Sequence, residues 1–555
     1  MRALLAGVLA ALSPFAVHAA APVVPGAGTI LQELKPVEPP APSQNEPGLQ
    51  IEQPGGATLP PTAPFLVSAI HISGNTSFDT PTLHALVAEA EGQELTLPEL
   101  DERVARITDF YHTHGYPLAR AIIPAQTIRD GVVNIEVIEA RYGKILLDNH
   151  SRVSDTLLQA TLSPLKSGQV IGQADLDHVL LLLADIPSAG TGATLKPGEA
   201  VGTSDLLVQG APGPAVAGNL TLDNFDNRYT GRARIGGDMS LIDPLHHGDV
   251  LDASVQSSGK DMDYGRLSYD FLLDGQGTHL GGSYSALHYI LGGSLAALEG
   301  HGTAEADSLW VKQPLVRTRD LDLYGQLQFD RKQLSDDIDV SSIHTDRHLD
   351  NWTVSLSGDQ RDAILSGGVN TWSLGLTSGQ VGFDDATEQR ADAATAKTQG
   401  RFLQWNATLA RLQHLTPKDA LYVAVSGQWA NANLDPSQKM VAGGPYTVRA
   451  YDMSAVSGDI GVQASAEWRH DLASAWHGQW QAVALFDSER VRVNKNVWTT
   501  GINVATLSGA GLGLNWIGPA QWSARASIAQ RLGAIPVLAG STASARAWLE
   551  ISKGF

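Results

Sequence analysis

From about residue 215 to the end of the chain, apolar and polar residues alternate with a period of two. In "LDLYGQLQFD" (321–330), Leu321, Leu323, Leu327 and Phe329 fall on one face and Asp322, Gln326, Gln328 and Asp330 on the other. "ALYVAVSGQWAN" aligns Leu421, Val423, Val425 and Trp429. "YGRLSYDFLL" aligns Leu267, Tyr269, Phe271 and Leu273, and "NTWSLGLT" aligns Trp372, Leu374 and Leu376. Each stretch predicts a strand of roughly 8–11 residues. Turn-rich segments such as "DDATEQRADAATAKTQG" separate them. Alternation with a polar second face is the pattern of a transmembrane β-barrel with a wet interior, and about 340 residues at roughly 20 per strand and connection gives about 16 antiparallel strands. A soluble β-sandwich or β-helix also alternates. The ending "WLEISKGF", with terminal Phe555, and the Trp and Tyr near strand ends favour the membrane. Lys553 interrupts the apolar face of that last strand, where a lysine can snorkel to the interface.

The period changes upstream. Over residues 65–140, "VSAIHIS" reads as a strand and Thr80 as the cap of a helix that carries Leu83, Leu86, Val87 and Ala90 on one side. Thr96 and Glu99 form a capping-box signature ahead of a helix with Leu100, Val104, Ile107 and Tyr111 inward. "ARAIIPAQTI" and "VVNIEVIEA" read as strands around the Asp130-Gly131 turn. The order is β-α-α-β-β. Residues 141–210 repeat it with diverged side chains, which predicts a second unit of the same kind.

Residues 1–19 read as a secretory signal peptide: Arg2, an apolar stretch from Ala3 to Val17, then small residues. Residues 20–64 form a linker holding eleven of the 28 prolines. Its one helical patch is "GTILQELKP", with Ile30, Leu31 and Leu34 on one side. The longest apolar run, "VLLLLADI", is far short of the ~18 residues a spanning helix needs. An exported chain without such a helix is soluble or a barrel.

The formal net charge of -20 argues against nucleic acid as a partner. With no cysteine, thiol catalysis, zinc ribbons and disulfide frameworks are excluded. No catalytic constellation or cofactor motif stands out. "GAGLGL" (509–514) leads into strand-like sequence rather than a helix, so it reads as a barrel strand in close backbone contact, not a nucleotide loop. "IDPLHHGD" reads as a polar turn rather than a metal site.

"GGPYTVRAYD" (443–452) sets Arg449 at the tip of a turn inside the strand-like region. By its residues alone it is either a solvated loop arginine or one folded into the lumen to meet a carboxylate. A guanidinium fork suits the second role because it grips a carboxylate with two bonds. Asp487, in "AVALFDSERV", is a candidate partner, although parity does not say which face of that strand meets lipid.

Four stretches together resemble the transporter component of two-partner secretion, the TpsB family, within the outer-membrane insertase superfamily. "YHTHGYPLARAIIPAQTIRDGVVNIEVIEARYGKI" is similar to the family's first POTRA domain. "LTLDNFDNRYTGRARIGGDMSLIDPLHHGDVL" is similar to its first barrel hairpin, "GGPYTVRAYD" to the tip of its sixth extracellular loop, and "GAGLGLNW" to a late strand. The resemblance implies two small periplasmic α+β POTRA domains (65–140 and 141–210) ahead of an outer-membrane barrel (215–555). It implies a lumen loop motif of Val448, Arg449, Ala450 and Tyr451, with Arg449 paired to Asp487 on the inner wall. It also implies a helix near 28–36 that plugs the pore at rest, and Phe555 as a barrel assembly signal. Two departures stand out. Ala450 replaces a usual glycine and would be strained at positive φ, and Glu489 stands where glycine is common. The implied function is export of a large partner exoprotein, unfolded and without ATP. Its partners would be that exoprotein, outer-membrane lipid and the barrel assembly machinery. An insertase for other barrels and a diffusion porin are the alternatives. An insertase usually carries more POTRA units, and a porin needs no receiver domains.

Overall fold

Sixteen strands pair in sequence order into a closed barrel in the computed structural model, which describes residues 24–34, 48–52, 62–540 and 543–555. The expected signal peptide and most of the proline-rich linker lie outside those residues. The first strand, Val216–Asp223, closes on the last, Ala545–Gly554, through the antiparallel register Asn219↔Gly554 to Asp223↔Glu550. Phe555 extends this seam: its N–H donates to Gly218 O at 3.0 Å and its carbonyl accepts from Gly218 N at 3.1 Å. A Cβ on Gly218 would come within 2.6 Å of the Phe555 ring, so the missing side chain makes room for it.

Burial along the strands is inverted relative to a soluble fold. Leu222, Val255, Leu309, Val354, Leu409, Leu512 and Ile528 are exposed, whereas Asn351, Gln404, Thr408, Gln428 and Gln463 are buried. Apolar side chains therefore line the outside and polar ones the lumen, as lipid requires. Gly300–Arg317, Leu321–Ile338 and Ile343–Asp362 run for 18, 18 and 20 residues, longer than the expected strands. Since ~9–11 residues cross a bilayer, these hairpins stand clear of it on one side. The segment 384–400, read as turn-rich, contains a helix, Ala386–Ala394, capped by Asp385. Alanine-rich sequence behind a good cap is sufficient for it.

Residues 65–140 form a sheet of Ala69–Ser73, Val132–Ile138 and Arg120–Ile122, with Leu83, Val87, Leu100, Val104, Ile107 and Tyr111 in the core. The Thr96–Glu99 capping box is present. Thr80 does not cap the preceding helix; Asp79 does, accepting from Thr82 N at 2.8 Å, in line with the stronger capping of aspartate. Glu139 is buried here. It accepts from the amides of Thr76 and Ser77, both at 2.7 Å, from Tyr111 Oη at 2.8 Å, and from the Thr76 hydroxyl. Burial opposes its ionisation, but these donors prevail and draw its pKa down to about 2.

The second unit repeats the element order: Arg141–Asn149, helices Asp155–Leu162 and Gln173–Asp185, then Thr191–Pro197 and Thr203–Gly210. A short linker strand, Leu49–Ile51, adds to the edge of its sheet beside Thr191–Pro197. This unit is fastened to one rim of the barrel. Arg317 donates to Asp185 of the second helix (Nε–Oδ2 and Nη2–Oδ1, both 2.7 Å) and to Asp322 of the next strand (Nη1 to both oxygens, 3.0 Å). Arg319 reaches Asp177 at 2.6 Å. The polar turn expected at 242–249 also docks here. Ser154 N donates to His246 O at 3.0 Å, and Gly248, at φ +60°, admits Ile186 and Leu272. By the resemblance this rim faces the periplasm, and the loop from Asn431 to Asp459 then starts at the expected extracellular end.

Candidate functional site

That loop turns back into the lumen. It joins Asp419–Ala430 to Ile460–Asp471 and carries a small hairpin, Met440–Ala442 with Val456–Gly458. Gly443 and Gly444, at φ +94° and +121°, make the reversal; a Cβ on Gly443 would strike Asp452 O at 2.5 Å. Val448, Ala450 and Tyr451 are fully buried, packed with Val483, Leu485, Val491 and Leu507 of the wall.

Arg449 and Asp487 are brought together. Arg449 Nε lies 2.8 Å from Asp487 Oδ2 and Nη2 lies 2.7 Å from Oδ1, a two-bond fork. Its backbone N–H also donates to Asp487 Oδ2 at 3.2 Å. Val483, Leu485 and Asp487 face inward, while Phe486 is exposed on the outside, which settles the strand's parity. The remaining contacts were not named from the sequence. Nη1 donates to Glu467 Oε1, and Nη2 to Ser465 Oγ at 3.2 Å. Ser465 in turn donates to Asp487 at 2.8 Å, Arg469 holds Glu467 at 2.7 Å, and Trp548 Nε1 donates to Arg449 O at 2.7 Å. Parity would have found the first two: Gln463, Ser465, Glu467 and Arg469 alternate with small or apolar residues in "VQASAEWRHD".

The strain expected at Ala450 does not arise, since Ala450 is not among the residues at positive φ. Its methyl is accommodated from the wall instead. A Cβ on Gly509, the first glycine of "GAGLGL", would lie 2.4 Å from Ala450 Cβ. Glu489 shares the inward face with Asp487 and is 1% exposed, yet its carboxylate oxygens have no hydrogen-bond partner among the described residues. At the far end of the motif Asp452 binds three arginines: Arg232 at 2.9 Å and Arg228 at 3.7 Å from the first extracellular loop, and Arg546 from the last strand. The motif is therefore tied at both ends.

A second element fills the lumen. The helix Ala27–Glu33 donates from Ala27 N to Asp336 Oδ1 at 2.6 Å and from Gln32 Nε2 to Ser437 O, and Glu33 accepts from Asn227 Nδ2 at 3.0 Å. Ile30 and Leu31 are buried among Tyr289, Leu291, Leu334, Leu349 and Phe402. The bore is thus not uniformly wet: its extracellular half carries an apolar patch, and the helix covers it. Gly26 and Gly28 give close approach; a Cβ on Gly28 would lie 2.7 Å from Ser437 N.

With this geometry in hand, comparison with known proteins is informative. The profile of the POTRA domain, ShlB-type, matches residues 65–140, and that of the haemolysin secretion/activation protein ShlB/FhaC/HecB matches residues 202–516. The chain belongs to the haemolysin secretion/activation family. It is an outer-membrane translocator that secretes a partner protein, with its POTRA region in the periplasm. Among members, the heme/hemopexin transporter protein HuxB of Haemophilus influenzae is 26% identical over 458 residues, 82% of this chain and 81% of HuxB. The outer membrane transporter CdiB of Escherichia coli is 24% identical over 487 residues, 82% of this chain and 80% of its own. The solved structure of CdiB from Escherichia coli superposes with a TM-score of 0.70 at 20% identity, covering 96% of each chain, and so shares the fold.

Proposed function

We propose that this family member receives one large partner exoprotein through its two α+β units and exports it as an extended chain, without ATP. The observation that carries this reading is the state of the lumen. A helix and an inward loop occupy it, both held by side-chain contacts and short hydrogen bonds rather than by the strand ladder. Both are removable while the barrel stays closed. In this reading Ala27–Glu33 is the resting plug, and Arg449 on Asp487 fixes the loop against the wall during passage. The Gln, Ser and Thr of the inner wall let a main chain pass with its polar groups solvated. Folding outside then makes return unfavourable. Outer-membrane lipid surrounds the apolar belt, and Phe555 at the seam is the signal read by the barrel assembly machinery.

Co-expression with a candidate large exoprotein tests the proposal. That protein is expected in the medium only when the chain is present. Equal amounts in the medium with and without the chain would refute it.

A further inference from the structure

The inward face of the wall behind the loop is a ladder of paired positions. Strands Ile460–Asp471 and Gln479–Arg492 pair with Glu467 opposite Leu485, Ser465 opposite Asp487 and Gln463 opposite Glu489. Successive rungs are two residues apart, roughly 7 Å along the strand. Ile460–Asp471 begins at the expected extracellular end, so Glu467 marks the innermost rung and Glu489 the outermost. Arg449 spans the inner two: Nε and Nη2 bond Asp487, Nη2 also bonds Ser465, and Nη1 bonds Glu467. The outer rung carries the same chemistry. Glu489 is 1% exposed, and neither of its carboxylate oxygens has a hydrogen-bond partner among the described residues. Asp487 and Val491 flank it on the inward face, and Leu507 is its neighbour on the next strand. A carboxylate buried there without a cation costs stability, which a guanidinium would offset. Gln463, buried on the same rung, offers an amide oxygen where the middle rung offers the Ser465 hydroxyl.

We infer that Glu489 is a second docking position for Arg449, reached when the loop steps one rung outward. In the observed position Arg449 bridges Glu467 and Asp487; in the second it bridges Asp487 and Glu489. Asp487 is common to both, so the loop stays fastened through the step. Glu467 is not left alone by it, because Arg469 keeps two bonds to its Oε2, at 2.9 and 2.7 Å. The step breaks the Glu467 bond, the Ser465 contact and the bond from Trp548 Nε1 to Arg449 O. It gains a cation for a carboxylate that has none. Arg228, Arg232 and Arg546 hold Asp452 through long side chains, which extend to follow it. Two ion-paired positions one pleat apart make the loop a two-state element, and the step carries Arg449 outward through the bore by that distance. That an exported chain triggers the step rests on the export reading above; the second position itself does not.

The chain has no cysteine, so Ala450→Cys with Leu507→Cys creates a single thiol pair. Ala450 abuts Gly509, where an added Cβ would lie 2.4 Å from its own. Leu507 is one rung further out, roughly 7 Å along the strand and beyond the ~3.5–4.5 Å between Cβ atoms that a disulfide spans. The outward step brings the two together, so the bridge reports the second position. In the isolated protein Glu467→Gln weakens the observed position alone and is expected to speed bridge formation at least fivefold. Adding Glu489→Gln should cancel that gain, and Glu489→Asp should keep part of it. Equal rates with and without Glu489→Gln overturn the inference. In cells that also make a candidate large exoprotein, Glu489→Gln is expected to cut its appearance in the medium at least fivefold. Export at the wild-type rate by Glu489→Gln overturns the inference and leaves the export reading intact. Failure of the unmodified chain to export counts against the export reading, and the bridging rates of the isolated protein then decide the second position by themselves.

Discussion

Arg449→Ala removes a guanidinium that bridges two carboxylates on the barrel wall. Asp487 is fully buried and Arg449 nearly so, with 0% and 13% of their side-chain surfaces exposed. After the substitution Asp487 keeps Ser465 Oγ at 2.8 Å and Glu467 keeps Arg469 at 2.7 Å, but neither replaces the two-bond fork. Stripping one partner from a buried ion pair costs ~3–5 kcal/mol, and these surviving donors put the loss at the lower end. At ~1.4 kcal/mol per tenfold, ~3 kcal/mol shifts the balance between docked and released loop by roughly a hundredfold. The strand ladder is untouched, so the barrel should insert as before. The loop can be followed by placing a thiol on it with Thr447→Cys, in a chain without other thiols, and measuring maleimide labelling in intact outer membranes. Labelling should rise about a hundredfold with Arg449→Ala, and export should fall. Asp487→Asn should shift labelling in the same direction, and the double variant should add little beyond the larger single effect. Labelling at the wild-type rate in Arg449→Ala, or strict additivity in the double variant, would refute the claim that this pair holds the loop.

Three further outcomes are expected. Gly28→Val puts a branched side chain where a single Cβ already lies 2.7 Å from Ser437 N, so the helix should leave the lumen and raise single-channel conductance in planar bilayers; unchanged conductance counts against the plug reading. Gly509→Ala should mimic part of the Arg449 phenotype, because its methyl would overlap Ala450 Cβ at 2.4 Å, and Ala450→Gly should rescue it in the labelling assay. Glu139 has a folded pKa of about 2 against an ordinary 4.5, so its stabilisation is complete above pH ~4.5 and is lost as the pH falls toward 2. That loss, on the order of 3 kcal/mol, should appear as lower amide protection factors at Thr76 and Ser77 in acid, relative to the intrinsic rate at each pH, and be absent from Glu139→Gln.

Much of the fold is written locally and was readable in the chain. Period-two patterning from residue 215 onward marks the barrel because lipid outside and water inside demand opposite faces. The Thr96–Glu99 box marks a helix start because its bonds are three residues apart. Arg449 stood out because a lone cation at a glycine turn within strand sequence is unusual. What escaped depends on distance along the chain. Asp452 meets Arg232 and Arg546 only after two loops and the closing strand converge, and no spacing foretells that. The room for Ala450 comes from Gly509, 59 positions away, and turns an apparent backbone problem into a side-chain fit. The linker strand is three residues long, too short for any periodicity. The apolar patch behind Ile30 and Leu31 is assembled from single inward positions on many strands, each looking like a lapse in alternation.

Arg317 belongs at once to a barrel strand and, through Asp185, to the unit beneath it. A hinge at that point would let the receiver swing beneath the pore; a guanidinium shared by two carboxylates welds it instead. The second unit and the pore mouth are then held at one separation, so a polypeptide passing from one to the other crosses a path of constant length.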